Sequence, residues 1–242
     1  MKRTDAELRK TLVDACRVLD HYELVRGYGH VSTRASDGKT ILITPRKALG
    51  LVRSPREILP MDLDGNLVGP RGRRVAQSKG KPKLLLPLEL FLHTEVYRAR
   101  PDVNAICRIH GKFALVLSVL RRTIRPVHEL SNPVGAEVPL FDSSELISSV
   151  EIGRRMTAAL GQARALLLRG NGQLVSGDNI EEAVVNSLHM ETSAEIQWRA
   201  LCVGEPTWIA GDEHAGEFAK LAKRNYEAVL RPWEYYVAKS RE

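Results

Sequence analysis

Residues 89–110 read Glu89-Leu-Phe-Leu-His-Thr-Glu-Val-Tyr-Arg-Ala-Arg-Pro-Asp-Val-Asn-Ala-Ile-Cys-Arg-Ile-His110. The first part, from about Leu88 to Arg100, has a helical pattern that stops at Pro101, because a proline disfavours helix in the residue before it. The apolar run Val103 to Ile109 follows directly and is typical of a buried strand. The segment therefore predicts a helix that leads straight into a strand.

Upstream of this segment, the sequence predicts one helix and two hairpins. Thr4 to Glu7 spells a capping box, and the apolar residues after it recur on one helical face. An Asp-Gly pair at 37–38 separates two strand-like runs, His30 to Arg34 and Thr40 to Thr44, which predicts a hairpin. A second Asp-Gly pair at 64–65 predicts another turn, between residues 61–63 and 66–68.

Downstream, helical and strand patterns continue to alternate. Asp142 and Glu145 frame a capping box that predicts a helix running to about Leu160. The further predictions are a strand over Ala165 to Leu168, a turn at Asn171-Gly172, a strand over Gln173 to Ser176, a helix from Asn179 to Leu201, and a last helix over Glu213 to Val229 that Pro232 ends. Hairpin strands interspersed with helices predict an α/β protein in which helices cover a sheet with antiparallel pairs. Because no linker or repeat divides the pattern, residues 1–242 are expected to form a single domain.

Composition narrows the class of protein. A hydrophobic content of 43% with 27% charged residues describes an ordinary globular chain, and no apolar run approaches the roughly 18 residues that cross a bilayer. The start of the chain lacks a signal-peptide core, so a cytoplasmic location is expected without membrane association. The three cysteines have no pairing or metal-site spacing, which argues against disulfides and zinc knuckles.

The formal net charge of +7 favours anionic partners. Much of the excess lies in residues 69–83, which we interpret as a basic, flexible loop. No stacking aromatic side chains interleave these charges, so nucleic-acid binding is disfavoured against a solvated loop near an anion-binding pocket.

Several short motifs in consistent order together resemble the class II aldolase and adducin head family. They are Gly29-His-Val-Ser32, Ile43-Thr-Pro45, Glu89 to His93, Tyr97 to Val103, Ile106 to His110, Val138-Pro139, Leu168 to Gly172 and Ile180 to Ala183. The resemblance implies a three-layer α/β/α fold with a mostly antiparallel central sheet, assembled as a homo-oligomer, commonly a tetramer. The Gly-His-Val-Ser motif, Arg169-Gly-Asn-Gly172 and the ending Trp233 to Tyr236 look closer to the decarboxylase-like branch than to the sugar-phosphate aldolases.

The resemblance also implies a chemistry. Family members cleave a carbon-carbon bond through an enolate, with a divalent cation held by three histidines and a glutamate that moves the proton. By position, Glu89 matches the acid/base, His110 matches the second histidine of the His-x-His pair, and His93 matches a histidine four residues after the glutamate. Arg108 stands where the first ligand histidine belongs, and Asn171 stands where the third belongs.

These replacements leave a poor metal site. A guanidinium offers no lone pair, and Asn171 offers only a neutral carbonyl oxygen, so His110, Asn171 and Glu89 are expected to hold Mn, Mg or Zn weakly if at all. One hypothesis is a metal-independent lyase, in which Arg108 binds a substrate carboxylate or stabilises an enolate oxygen, with Glu89 and His110 as its catalytic partners. The alternatives are an inactive, adducin-like binding or scaffold module, a repurposed isomerase or cyclase, and an ordinary metal enzyme with ligands from elsewhere.

The positions of the aldolases' phosphate site are altered as well. Thr44-Pro-Arg-Lys47 and Pro87-Leu88 stand where glycines and serines would hold a sugar phosphate, so Arg46 and Lys47 are predicted to meet a small carboxylated substrate, with a hydroxylated aromatic acid as one option. The other predicted substrate-binding residues are His30, His93, His128 and Asn171. The competing interpretations are that Arg46 and Lys47 face solvent, that His93 only packs, that His30 caps the hairpin, and that Arg108 forms a structural ion pair.

Overall fold

The structure is a computed structural model that describes residues 3–69, 73–75, 85–128, 130, 135–209 and 226–242. The α-helices are α1 (Asp5–His21), α2 (Leu90–Ala99), α3 (Lys112–Val119), α4 (Val150–Leu160), α5 (Ile180–Leu201) and α6 (Arg231–Lys239). The strands are β1 (His30–Arg34), β2 (Ile41–Ile43), β3 (Leu59–Met61), β4 (Ala105–Ile109), β5 (Leu140–Phe141), β6 (Ala165–Leu168) and β7 (Gln173–Gly177). Two short 3-10 helices, Leu49–Leu51 and Pro55–Glu57, lie between β2 and β3, and a π-helix, Tyr226–Leu230, precedes α6.

Within the described part of the chain, the strands form one seven-stranded sheet in the order β3-β2-β1-β4-β7-β6-β5. Every pair is antiparallel except β5 with β6. One apolar cluster joins the sheet to α1, α3 and α5, and a second joins it to α2 and α4. The helices therefore cover both faces, and the predicted three-layer α/β/α arrangement with a mostly antiparallel sheet is confirmed.

The alternation of side chains along β4 places a charged residue next to α2. Cys107 packs into the cluster with α1 and α5, whereas Ile106 packs into the cluster with α2 and α4. Because side chains two residues apart share a face, Arg108 lies on the α2 side with Ile106. The register pairs His30 of β1 with Arg108. Two polar residues of the sheet thus stand side by side under the start of α2.

Several local predictions hold. In the capping box of α1, Thr4 accepts from the Glu7 amide and Glu7 accepts from the Thr4 amide. β1 and β2 pair across the turn at 37–38, where Gly38 has φ 73°. Met61 bridges Leu67 around the second Asp-Gly turn. Local sequence therefore determines these elements.

Two local predictions are wrong, and α3 was not predicted. The helix expected to start at Asp142 begins only at Val150, where Ser149 caps it. The Asp142 carboxylate instead pairs with Arg121 and Arg169, so the apparent capping box serves tertiary ion pairs. Pro232 does not end a helix but lies in the first turn of α6, where its missing amide costs nothing.

The remaining predictions on the organisation of the chain are only partly addressed. Most of the basic segment 69–83 and most of the predicted helix 213–229 lie outside the described residues. Of the basic segment's described part, Arg74 pairs with Asp62 and Asp64. Among the described residues, no helix is long and apolar enough to cross a membrane. The single-domain boundaries and the cytoplasmic location stay predictions.

Candidate active site

A cavity of about 530 Å³ opens where the start of β1 and the end of β4 meet the start of α2. Its inner end is formed by Glu89, Arg108, His110 and Asn171, which we call the inner cluster. Volumes of this size hold small organic molecules. Side chains far apart in the sequence, and predicted from family position alone, are thus brought together.

Arg108 is the centre of the inner cluster. Its Nη2 donates to Glu89 Oε2 at 2.9 Å and to Asn171 Oδ1 at 2.8 Å. Its Nη1 donates to the Ile109 carbonyl at 3.1 Å and lies 2.6 Å from His110 Nε2. A guanidinium can only donate, so His110 accepts at Nε2 and carries its proton on Nδ1. All four terminal N–H groups of Arg108 are therefore used within the protein, and its Nε finds no partner among the described residues.

Glu89 is held from three sides. Besides Arg108, its Oε1 accepts from the Asn171 side-chain amide at 3.1 Å and from the Ile147 backbone amide at 3.2 Å. A carboxylate has about four lone-pair positions, so one position on Oε2 stays free. His30 Nε2 lies 4.0 Å from that oxygen. Glu89 can therefore exchange a proton at Oε2 while the rest of the group stays fixed.

A glycine makes room for the cluster. Gly172 has φ 82°, and a Cβ there would lie 2.2 Å from the Ile109 carbonyl oxygen and 3.1 Å from Arg108 Nη1. Only glycine combines this backbone conformation with such close approach. The turn that carries Asn171 can thus reach β4 and bring the amide against Arg108.

The geometry does not fit a divalent metal. The three atoms that a cation would need as ligands, Glu89 Oε2, Asn171 Oδ1 and His110 Nε2, all converge on the Arg108 guanidinium. Among the described residues, no group of three or more His, Cys, Asp or Glu side chains is arranged to hold a metal ion. A metal would have to displace a side chain that is 1% exposed and bonded on four sides. The protein's own cation therefore occupies the point on which these three atoms converge.

Burial and the Arg108 charge keep the neighbouring histidines neutral. Burial first, and then Arg108, lower the pKa of His110 to about 3, against a weak opposing effect of the Tyr28 backbone. The pKa of His30 is lowered well below its usual range, first by burial and then by His93, Arg108 and His110. The pKa of Arg108 is itself lowered by burial, which the Glu89 carboxylate opposes. At ordinary pH the inner cluster therefore carries one ion pair and a neutral His110, and the adjacent His30 is neutral as well.

His93 lies behind His30 instead of in the cavity. It is fully buried on α2, with its Nε2 2.6 Å from His30 Nδ1 and its Nδ1 2.6 Å from Ser32 Oγ. With no exposed surface it does not contact a substrate in this cavity, so the predicted substrate contact of His93 is corrected to a supporting position. His30 lines the cavity, and its predicted contact with a substrate stays a prediction.

The outer end of the cavity carries two cations, of which one is paired within the protein and the other is exposed. Lys47 Nζ lies 2.6 Å from Glu57 Oε2, and this hydrogen bond is the main cause that lowers the pKa of Glu57. The Arg46 side chain is exposed and makes no ion pair with any described residue. Arg46 is thus the lining cation of this end that is available to an anionic ligand.

The described lining contains no serine or threonine. The Thr44 hydroxyl is buried and accepts from the Val31 amide, so it points into the sheet. Pro45, Ala48, Pro87, Leu88 and Leu146 give that end an apolar wall. Such a wall suits an aromatic or aliphatic body better than a phosphate.

His128 is not among the described residues that line this cavity. Its Nε2 lies 3.0 Å from Ser193 Oγ of α5. Its predicted role in substrate binding stays a prediction.

Sequence reasoning missed several residues of the site. Tyr28 and Leu146 line the cavity, and the Ile147 amide binds Glu89. Ser32 is hydrogen-bonded to His93, and Tyr97 is hydrogen-bonded to Ser32. Ser32 could have been found from its spacing, because it lies two residues after His30 on the same face of β1. The loop residues carried no such signal.

The comparisons with known proteins agree with this fold. Residues 10–198 match the family model described as Class II Aldolase and Adducin N-terminal domain. The chain belongs to this family. A 5-methylthioribulose-1-phosphate/5-deoxyribulose-1-phosphate aldolase of Rhodospirillum rubrum is 30% identical over 207 residues, which cover 85% of this chain and 87% of the relative.

One further relative and one solved structure are also similar to this chain. A 3,4-dihydroxyphthalate decarboxylase of Arthrobacter keyseri is 28% identical over 209 residues, covering 83% of this chain and 82% of that protein. The solved structure of an aldolase II superfamily protein from Pseudomonas syringae superimposes with a TM-score of 0.79 at 21% identity, over 99% of this chain and 94% of that one. Both curated relatives are named for carbon-carbon lyase reactions, which supports a lyase-type function for this chain.

Proposed function

We propose that the protein is a metal-independent carbon-carbon lyase that decarboxylates a small hydroxylated aromatic acid. The observation that carries this proposal is the convergence of the Glu89, Asn171 and His110 acceptor atoms on the buried Arg108 guanidinium. A preorganised positive charge in a water-poor site stabilises negative charge that develops in the transition state. Arg108 supplies that charge through space, because its terminal donors are already engaged.

The substrate class is supported by the two ends of the cavity. Arg46 is the exposed cation that can pair with a substrate carboxylate. The apolar wall suits a ring, and the absence of serine and threonine from the described lining argues against a sugar phosphate. A relative named as a 3,4-dihydroxyphthalate decarboxylase supports this substrate class.

The reaction can be written with this chain's own residues. Glu89 takes the proton of a substrate hydroxyl at its free Oε2 position and passes it to the ring carbon that bears the carboxylate. The carbon-carbon bond then breaks, its electron pair returns to the ring, and carbon dioxide leaves. The phenolate that remains takes a proton from water. Arg108 and His110 stabilise the negative charge during these steps.

The test is a panel of mono- and dihydroxybenzoates and dihydroxyphthalates incubated with purified protein, with the phenolic product and carbon dioxide both quantified. Turnover of at least one acid is expected, together with its loss in Glu89→Gln, which keeps the shape of the side chain but not its basicity. A panel with no turnover, alongside cleavage of a sugar phosphate, would overturn the proposed substrate class. No turnover on either panel would favour the inactive binding module.

We also propose a homotetramer, as the family resemblance implies. Size-exclusion chromatography with light scattering gives the mass in solution. About four times the chain mass of 27.0 kDa is expected, and a monomer at micromolar concentration would contradict it.

A further inference from the structure

A line of buried hydrogen bonds leads from the cavity into the core. His30 Nδ1 lies 2.6 Å from His93 Nε2, His93 Nδ1 lies 2.6 Å from Ser32 Oγ, and Ser32 Oγ lies 2.9 Å from Tyr97 Oη. All four side chains are buried. In each contact either atom can be the donor, so the donor of one hydrogen bond fixes the donors of the others.

The Tyr97 end fixes the direction. Burial raises the pKa of Tyr97, so the phenol keeps its proton. Ser32 Oγ is the one hydrogen-bond partner that the described residues give to this hydroxyl. A buried donor without an acceptor costs about 1–3 kcal/mol. Tyr97 therefore donates to Ser32.

The hydrogen bond from Tyr97 to Ser32 fixes the donor and the acceptor of each remaining contact. Ser32 has a single proton, which it donates to His93 Nδ1. His93 accepts there and so carries its own proton on Nε2, from which it donates to His30 Nδ1. His30 is left with its proton on Nε2, the nitrogen that lies on the Glu89 side.

The cavity end favours the same direction. His30 Nε2 lies 4.0 Å from Glu89 Oε2, where an N–H is attracted to the carboxylate and a lone pair is repelled by it. The reverse arrangement would leave the Tyr97 proton without an acceptor and turn the His30 lone pair toward Glu89. Both ends of the line oppose it.

We propose that Tyr97, Ser32 and His93 are positioning residues that hold His30 as a neutral N–H donor, and that His30 Nε2 binds an anionic oxygen of the substrate. During decarboxylation this oxygen is the phenolate that forms when Glu89 takes the hydroxyl proton. His30 thus acts as a hydrogen-bond donor and not as a base. The identity of the oxygen rests on the proposed function, whereas the direction of the line does not.

The direction can be measured without substrate. In full-length protein labelled with ¹⁵N-histidine, NMR detects the coupling across the hydrogen bond between the two rings and shows which nitrogen holds the proton. His30→Gln and His93→Gln variants assign the signals. The proton is expected on His93 Nε2, and a proton on His30 Nδ1 would overturn the proposal.

A variant and a matched control test the role of Tyr97. Tyr97→Phe removes the donor that fixes the direction, so a second tautomer of His93 is expected to appear in the spectrum. Tyr22→Phe serves as the control, since Tyr22 packs against Tyr236 and makes no contact with the line. An unchanged tautomer in Tyr97→Phe would remove Tyr97 from the proposal. If that variant fails to fold, the wild-type spectrum alone decides the direction.

The N–H donor is tested by titrating salicylate and following binding by NMR and calorimetry. His30→Gln keeps an amide donor near the Nε2 position, whereas His30→Asn keeps only an acceptor for His93. Hydrogen bonds to charged groups predict at least about tenfold weaker binding for His30→Asn and a much smaller loss for His30→Gln. Equal losses in both variants, or no salicylate binding by the wild type, would overturn anion binding at His30.

Discussion

Arg108 and Arg46 line the same cavity, yet their surroundings are opposite. Arg108 is 1% exposed and spends its terminal donors on four protein acceptors. Arg46 is exposed, with no ion pair among the described residues. The difference indicates a division of labour, in which one arginine is part of the fixed catalytic cluster and the other is free to meet the substrate. A charge is useful for binding only when the protein has not already neutralised it.

The largest expected effect comes from removing the inner arginine. Arg108→Gln should lower kcat about 100- to 1000-fold, because a preorganised charge is lost from the site. It should also cost about 3–5 kcal/mol in the free energy of unfolding, because Glu89 is left buried without its cation. Kinetics on the acid that is turned over and urea unfolding measure the two effects.

Two further variants separate catalysis from stability. Glu89→Gln/Arg108→Gln removes both charges, so it should recover much of the stability but none of the turnover. Arg100→Gln is the matched control, since Arg100 is a buried arginine paired with Asp102 and does not line the cavity. Full activity in Arg108→Gln would show that this arginine is only structural.

The second prediction restores the family pattern at the inner end. Arg108→His/Asn171→His rebuilds the three histidines with His110 and removes the guanidinium that blocks the ligand atoms. Calorimetry should then show a higher affinity for zinc than that of the wild-type protein. Arg108→His alone is the control, with a weaker gain because one ligand is still missing. No gain in the double variant would contradict the placement of the cation position at Arg108.

The third prediction concerns pH and distinguishes the buried inner end from the solvated outer end. His93 and His110 have a pKa of about 3 in the folded protein, against 6.5 unperturbed. Between these values the unfolded chain binds more protons, so stability is lost as pH falls below 6.5. Each histidine contributes a slope of up to about 1.4 kcal/mol per pH unit.

Urea unfolding between pH 4 and pH 7 measures this slope. His110→Gln should reduce the slope of the free energy of unfolding against pH by the contribution of one proton. Lys47→Gln at the outer end should leave this slope nearly unchanged down to about pH 5. An equally steep slope in His110→Gln would mean that this ring already titrates normally in the folded protein.

The smallest effect is expected at the outer end. Arg46→Gln should raise KM about tenfold and leave kcat nearly unchanged, because a binding interaction that is equal in ground and transition state is removed. Lys47→Gln is the matched control, since the Lys47 charge is already paired with Glu57 and its loss should change KM far less. A larger effect in Lys47→Gln than in Arg46→Gln would reverse the assignment of the substrate cation.

The sequence predicted much of the fold because its signals are local. The Thr4 to Glu7 capping box and the Asp-Gly turns act within a few residues, and both appear in the structure. The false helix start at Asp142 shows the limit of such signals. That carboxylate found Arg121 and Arg169 as partners, which only the folded chain brings near.

The sequence predicted which residues form the inner cluster but not the hydrogen bonds among the residues of the site. Motif positions identified Glu89, Arg108, His110 and Asn171 as one cluster. They could not show that the terminal donors of Arg108 are all consumed, which argues against its direct binding of a substrate carboxylate. They also could not place His93 behind His30, because that depends on how α2 crosses β1.

Metal analysis combined with chelator treatment tests the central claim most directly. The purified protein should contain no stoichiometric divalent metal, and its turnover of a hydroxylated aromatic acid should survive incubation with excess chelator, because the Arg108 guanidinium supplies the positive charge. Loss of turnover in chelator, with recovery on addition of zinc, manganese or magnesium, would contradict the claim and return the site to the metal chemistry of its family.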